Sequence, residues 1–181
     1  VKKFFVNPHF TIEVVPGTGF GNPPRLKAKK TDLIFTFPMG AAAMYNGTEP
    51  YTEKDKFTGI QLLAGGFGTN YMNVIVAVDH YNVSTVDELF KSKKPLDFSV
   101  EKVGTFSEYT FRMLLKYYGL TYEKIKKEGG KIMHAGYSDQ GRLLRDRHVH
   151  GLYQTIAVPI AAILEVENSR PLRMLPITGD L

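Results

Sequence analysis

The five residues that follow Asn73, namely Val74-Ile75-Val76-Ala77-Val78, are all apolar. A strand wet on one face alternates apolar with polar side chains, so an unbroken run of this length reads as a strand buried on both faces. Such a strand needs cover on two sides, and the rest of the chain offers it. Further apolar runs read as strands at Thr11–Val15, Asp32–Phe37, Ile60–Ala64, Leu96–Val100, Lys131–Ala135, Gly151–Gln154 and Leu172–Ile177. Between them lie helical patterns at Arg25–Lys30, Gly40–Asn46, Ser84–Phe90, Thr105–Tyr118, Ser138–Asp146 and Val158–Leu164. Thr85 with Glu88, and Thr105 with Glu108, have the spacing of capping boxes, and Gly119 supplies a helix stop. Pro159 is expected in the first turn of its helix. Strand–helix alternation with short connections predicts the α/β class: a parallel or mostly parallel sheet with helices on both faces.

Composition narrows the function. The 181 residues allow one domain or two small ones. The absence of cysteine excludes a disulfide scaffold, a cysteine zinc site and a thiol nucleophile. A net charge of +5 raises nucleic acid as a partner. The basic residues are dispersed, however, in clusters at 27–30, 91–94, 124–127 and 142–147 that read as solvated helix faces, so no nucleic acid is expected. There is no apolar run of 18 residues and no signal peptide. A first residue of Val points to a processed or truncated product.

In α/β sheets, ligands bind beyond the carboxyl ends of the strands, at loops that lead into helix N-termini. Two loops fit, Pro16–Asn22 and Lys102–Ser107. At the second, Gly104 lets backbone approach a ligand, and Thr105 and Ser107 add hydroxyls. This combination reads either as an anion site or as a self-capped helix with Ser107 facing water. Gly17-Thr18-Gly19-Phe20-Gly21 is neither a dinucleotide fingerprint nor a P-loop. His148 and His150 share one strand face but have no third ligand at metal-site spacing, so neither metal nor cofactor is expected. His134 reads as an interior histidine. No G-x-S-x-G or H-E-x-x-H occurs. The inventory points to binding without catalysis. An enzyme acting on a small anion on the same architecture is the alternative, and it would need a cysteine or a convergent acid–base pair.

The order of motifs resembles a known family. Glu13-Val14-Val15-Pro16-Gly17-Thr18-Gly19-Phe20-Gly21-Asn22, then Arg25-Leu26 and Thr31-Asp32-Leu33-Ile34-Phe35, is similar to a stretch of the TAXI family, the solute receptors of tripartite ATP-independent periplasmic (TRAP) transporters. Val83–Leu89, Val103–Glu108 with Leu114–Tyr122, and Gln154–Ile163 resemble its later segments in the same order. The position of Phe20 is small in the family and aromatic here.

The resemblance implies a type II periplasmic-binding-protein-like fold of two α/β lobes that close on a ligand. One lobe would comprise residues 1–78 completed by 173–181, the other 79–172, with Asn73–Val78 and Leu172–Ile177 as hinge strands. It implies a periplasmic or extracytoplasmic receptor for a small organic anion or a glutamate-like amino acid, working with the membrane subunits of a TRAP transporter. Thr18, Gly19, Asn22, Gly104, Thr105, Phe106, Ser107 and Thr155 would line the cleft, with Arg25 or Arg112 as counter-ions. Family members also carry a further strand–loop–helix unit before, and more helix after, the stretch matched here, so the chain is expected to be truncated at both ends.

Overall fold

The structure is a computed structural model that describes residues 11–66 and 71–177. Its centre is a five-stranded sheet of β1 (Tyr71–Ala77), β2 (Asp97–Val100), β3 (Lys131–His134), β4 (Gly151–Ile156) and β5 (Leu172–Leu175), in the order β3-β2-β4-β1-β5. β2 runs parallel to β3 and β4, whereas β1 is antiparallel to both its neighbours, β4 and β5. Four strands therefore share one direction and β1 alone is reversed. The expected pair of hinge strands, β1 and β5, are direct neighbours, with Val74 opposite Leu175 and Ala77 opposite Leu172.

Helices cover both faces. α3 (Val86–Lys91), α4 (Phe106–Tyr117) and α5 (Tyr122–Lys127) contribute to one core around Val74, Val76, Phe98, Phe111 and Tyr153. α6 (Tyr137–Arg145) and α7 (Ala161–Glu167) contribute to the other, around Ile75, Ala77, Leu152 and Ile163. Successive residues of β1 enter opposite cores, so its unbroken apolar run is the strand buried on both faces that the sequence implies. Thr85 and Thr105 cap α3 and α4, each accepting from the N–H three residues on, but the reciprocal half of the expected capping boxes is not made: Glu88 accepts from Ser84 N and Glu108 pairs with Arg112. Gly119 takes a left-handed φ of 67° after α4.

Two helix starts differ from expectation. α6 begins after Gly136 rather than at Ser138, and α7 after Ile160, which leaves Pro159 ahead of the helix.

Residues 11–66 contain α1 (Asn22–Lys27), α2 (Pro38–Asn46) and a single 3-10 turn at Glu53–Asp55. The three strands expected at Thr11–Val15, Asp32–Phe37 and Ile60–Ala64 are irregular chain instead. A strand exists only by pairing, and near the first two runs side chains bond the backbone instead: Arg25 Nη1 donates to Pro16 O at 2.7 Å, Asn22 Nδ2 to Phe35 O at 2.8 Å and Thr36 Oγ1 to Gly19 O at 2.5 Å. Several of their apolar side chains are uncovered, with Val14 69%, Leu33 72% and Leu62 86% exposed.

Candidate functional site

The carboxyl ends of β2, β3 and β4 open on one edge of the sheet, and the loops leaving them lead into α4, α6 and α7. After β2 the chain turns through Gly104, whose φ of 88° is a left-handed conformation that L residues rarely adopt. Thr105 then caps α4: its Oγ1 accepts from Glu108 N at 3.2 Å and donates to Lys102 O at 2.8 Å. Its backbone oxygen accepts Tyr109 N at 3.1 Å. By helix geometry the N–H groups of Phe106 and Ser107 have no acceptor within the helix and point out of its end, where an anion is stabilised.

Ser107 does not face water. It is 1% exposed, and its Oγ accepts from Thr155 N at 3.1 Å. Thr155 Oγ1 lies 3.3 Å from Thr110 Oγ1, which accepts from Tyr153 Oη at 3.0 Å and donates to Phe106 O at 3.0 Å. This buried hydroxyl network seats the first turn of α4 on β4. Ser107 and Thr155 are thus brought together, Thr105 stands at the same helix end, and the hydroxyls of all three are engaged in holding the frame of this edge.

Two residues not singled out from the sequence stand at the same edge. Burial raises the Glu101 carboxyl pKa, and the nearby Tyr137 and Thr105 hydroxyls oppose that shift. Tyr137, the first residue of α6, donates to Thr155 O at 3.2 Å, and burial pushes its phenol up to about 12. His134, at the end of β3, is exposed, and its Nδ1 is 2.9 Å from Glu101 O. Glu101 had no signal of its own in the sequence, being one acid in a loop of mixed character.

The glycine-rich loop meets this edge directly. Gly21 N donates to Thr18 Oγ1 at 3.0 Å and Asn22 N to Thr18 O at 3.0 Å, closing a tight turn that starts α1. A Cβ on Gly19 would lie 2.6 Å from the Phe37 ring and 3.8 Å from Phe106 Cβ. Phe37 stacks on Phe106 at 4.1 Å, and Phe20 packs on Phe106 at 5.9 Å and on Tyr109 at 4.8 Å. Tyr51 Oη donates to Phe20 O at 2.7 Å. Gly19, Gly104 and Phe106 therefore belong to facing loops, and rings fill the gap between them. Asn22 is turned away, over Gly17 and onto Phe35 O. Of the two arginines expected as counter-ions, Arg112 Nε pairs with Glu108 at 2.8 Å, whereas Arg25 Nη1 donates to the neutral Pro16 O at 2.7 Å.

Elsewhere, an apolar groove of about 270 Å³ lies between β1, β5 and α7, lined by Ile75, Val158, Ile163 and Met174 among others. His150 stacks on His80 rather than pairing with His148. Among the described residues no group of three His, Cys, Asp or Glu is arranged to hold a metal ion. No helix among them is long and apolar enough to cross a membrane.

Solved structures with partial likeness include a periplasmic sulfonate-binding protein of an ABC transporter from Methylobacillus flagellatus KT. It is 16% identical, with 60% of this chain aligned to 28% of that one at a TM-score of 0.43. An ancestral arginine-binding protein bound to arginine is 15% identical over 65% of this chain and 46% of its own, also at 0.43. A protein of glutathione import in Streptococcus mutans is 13% identical over 72% of this chain and 49% of its own, at 0.40. The chain thus spans between about a quarter and a half of the length of these proteins. The sequence pattern of the NMT1-like family matches residues 11–181, and the chain belongs to that family.

Proposed function

We propose that the chain is part of a solute-binding receptor that captures a small carboxylate or a glutamate-like amino acid outside the cytoplasm. In this reading it delivers the solute to a TRAP transporter of the TAXI kind. Residues 1–78 with 173–181 form one lobe and 79–172 the other. The ligand enters between the Thr18–Asn22 and Gly104–Ser107 loops, with Thr155 behind them. The observation that carries the reading is the direct meeting of these loops at the carboxyl edge, where the N–H groups at the start of α4 offer a carboxylate charge-assisted hydrogen bonds. Membership of the NMT1-like family and the ordered TAXI-like motifs support it. The Phe20, Phe37 and Phe106 rings then act as the wall that a ligand displaces or lies against. The buried network of Ser107, Thr110, Tyr153 and Thr155 keeps the α4 end rigid, as a preorganised site requires.

The experiment is a thermal-shift series with glutamate, other amino acids, dicarboxylates and monocarboxylates. A true ligand at about a hundred times its Kd adds about 2.7 kcal/mol to stability and so raises the midpoint by several degrees. The response should fall when Gly104 is replaced by Val. If no carboxylate moves the midpoint, and none is released on denaturation of the purified protein, the reading is wrong.

A further inference from the structure

At the opposite, amino edge of the sheet, β1 ends and β4 and β5 begin. His80, just past β1, and His150, just before β4, stack with ring centroids 3.8 Å apart and planes 8° from parallel. Beside them Arg170, just before β5, is 2% exposed. Its Nη2 donates to Asp79 Oδ1 at 2.9 Å, and its Nη1 to the carbonyls of Leu144 at 2.5 Å and Val149 at 3.2 Å. The same Nη2 lies 2.7 Å from His150 Nδ1.

Arginine has donors only, so this last contact is a hydrogen bond only while Nδ1 presents its lone pair. A proton on Nδ1 would set donor against donor and place a second positive charge within 2.7 Å of the guanidinium.

The surrounding charges make protonation worse. Lys94, ahead of β2, donates to His80 O at 2.6 Å, and Arg147 pairs with Asp79. Lys131 of β3 is 4.0 Å from Asp97 of β2. The stack itself faces two cations, Lys94 and Arg170, and two carboxylates, Asp79 and Asp97, with Tyr81 edge-on to both rings, so two imidazolium ions would create a positive excess. One Asp97 oxygen is buried without a partner. Burial lowers the pKa of both imidazoles, aided by Lys94 at His80 and by the neighbouring ring at His150.

We propose that the His80–His150 stack is a proton-sensitive latch. While both rings are neutral it holds Arg170 against Asp79 across the ends of β1, β4 and β5, and acidification from pH 7 to 5 releases that joint. The direction follows from linkage. The unfolded chain, with histidines near the ordinary 6.5, binds more protons than the folded one as pH falls through that value. The latch is therefore at full strength above about pH 6.5 and is lost below it. It is independent of what the protein binds.

Three amides report on the joint: Ala77 N, bonded to His150 O at 2.9 Å, Val78 N, bonded to Pro171 O at 3.0 Å, and His150 N, bonded to Asp97 O at 2.8 Å. After correction for intrinsic rates, their hydrogen exchange should be about tenfold faster at pH 5 than at pH 7. That of Ala135 N, bonded to Val100 O, should not change. The double variant H80F/H150N keeps a flat ring and an acceptor but cannot titrate, and should abolish the difference. If the variant does not fold, imidazole titration of the native protein by NMR decides. Equal exchange at both pH values, or both rings titrating at or above 6.5, overturns the proposal.

Discussion

Gly151 shows how a single residue can be fixed by its neighbour. It opens β4 directly opposite Phe98 of β2, and a Cβ there would lie 2.3 Å from the Phe98 ring tip. That ring cannot withdraw, because Phe98 is fully buried against Phe111 and Tyr81. Gly151→Ala should therefore destabilise the protein by about 1–3 kcal/mol, as overpacking of a filled core does, and urea denaturation would measure it. An unchanged midpoint would mean that the Phe98 ring shifts freely. At this scale the sequence spoke clearly wherever a side chain bonds its own turn. Thr85 and Thr105 were legible as caps because the acceptor and the N–H it serves are three residues apart. Asn22 was not legible: a residue that fits a ligand loop equally fits a bond to Phe35 O, thirteen residues away. Nor was Glu101, whose significance comes from Tyr137 of α6, a partner that only the fold supplies.

Among the elements, α4 carries most of the candidate site, and its start rests on Thr105 Oγ1. Thr105→Ala removes the cap and the bond to Lys102 O and should cost about 1 kcal/mol. For a chain of this length that lowers the melting temperature by about 2–4 °C. Thr105→Ser keeps the hydroxyl and should restore nearly all of it, and scanning calorimetry on the three proteins separates the cases. β1 could be read from sequence because burial on both faces makes each of Val74, Ile75, Val76 and Ala77 apolar. The runs at 11–15, 32–37 and 60–64 have the same local chemistry, yet pairing is a property of two segments, and in the described structure they lie in a ladder with none. Local pattern also could not reveal that β1 is reversed, since an apolar run reads alike in both directions.

Taken whole, the molecule divides by how its backbone is held. The sheet and its two helical layers bury their hydrogen-bonded groups, while residues 59–66 lie outside any helix or strand, with Leu62 and Leu63 exposed. Backbone without ladder or cover opens at little free-energy cost, so proteases should cut first within 59–66 and leave the segment 71–177 intact for much longer. Brief trypsin-independent digestion, for example with thermolysin at Leu62 or Leu63, followed by mass measurement tests this. First cuts inside β1 or β4 would contradict it. The α/β class was legible from alternation alone, whereas the order β3-β2-β4-β1-β5 was not, because it depends on which edges meet.

The position of β1 has one more consequence. Val74 and Val76 belong to one apolar core and Ile75 and Ala77 to the other, in a single strand of seven residues flanked on both sides. Neither helical layer can stay packed once that strand leaves, because each core loses two of its buried side chains. The two cores are thermodynamically one, and the strand between them makes the sheet and its covering helices a single cooperative unit.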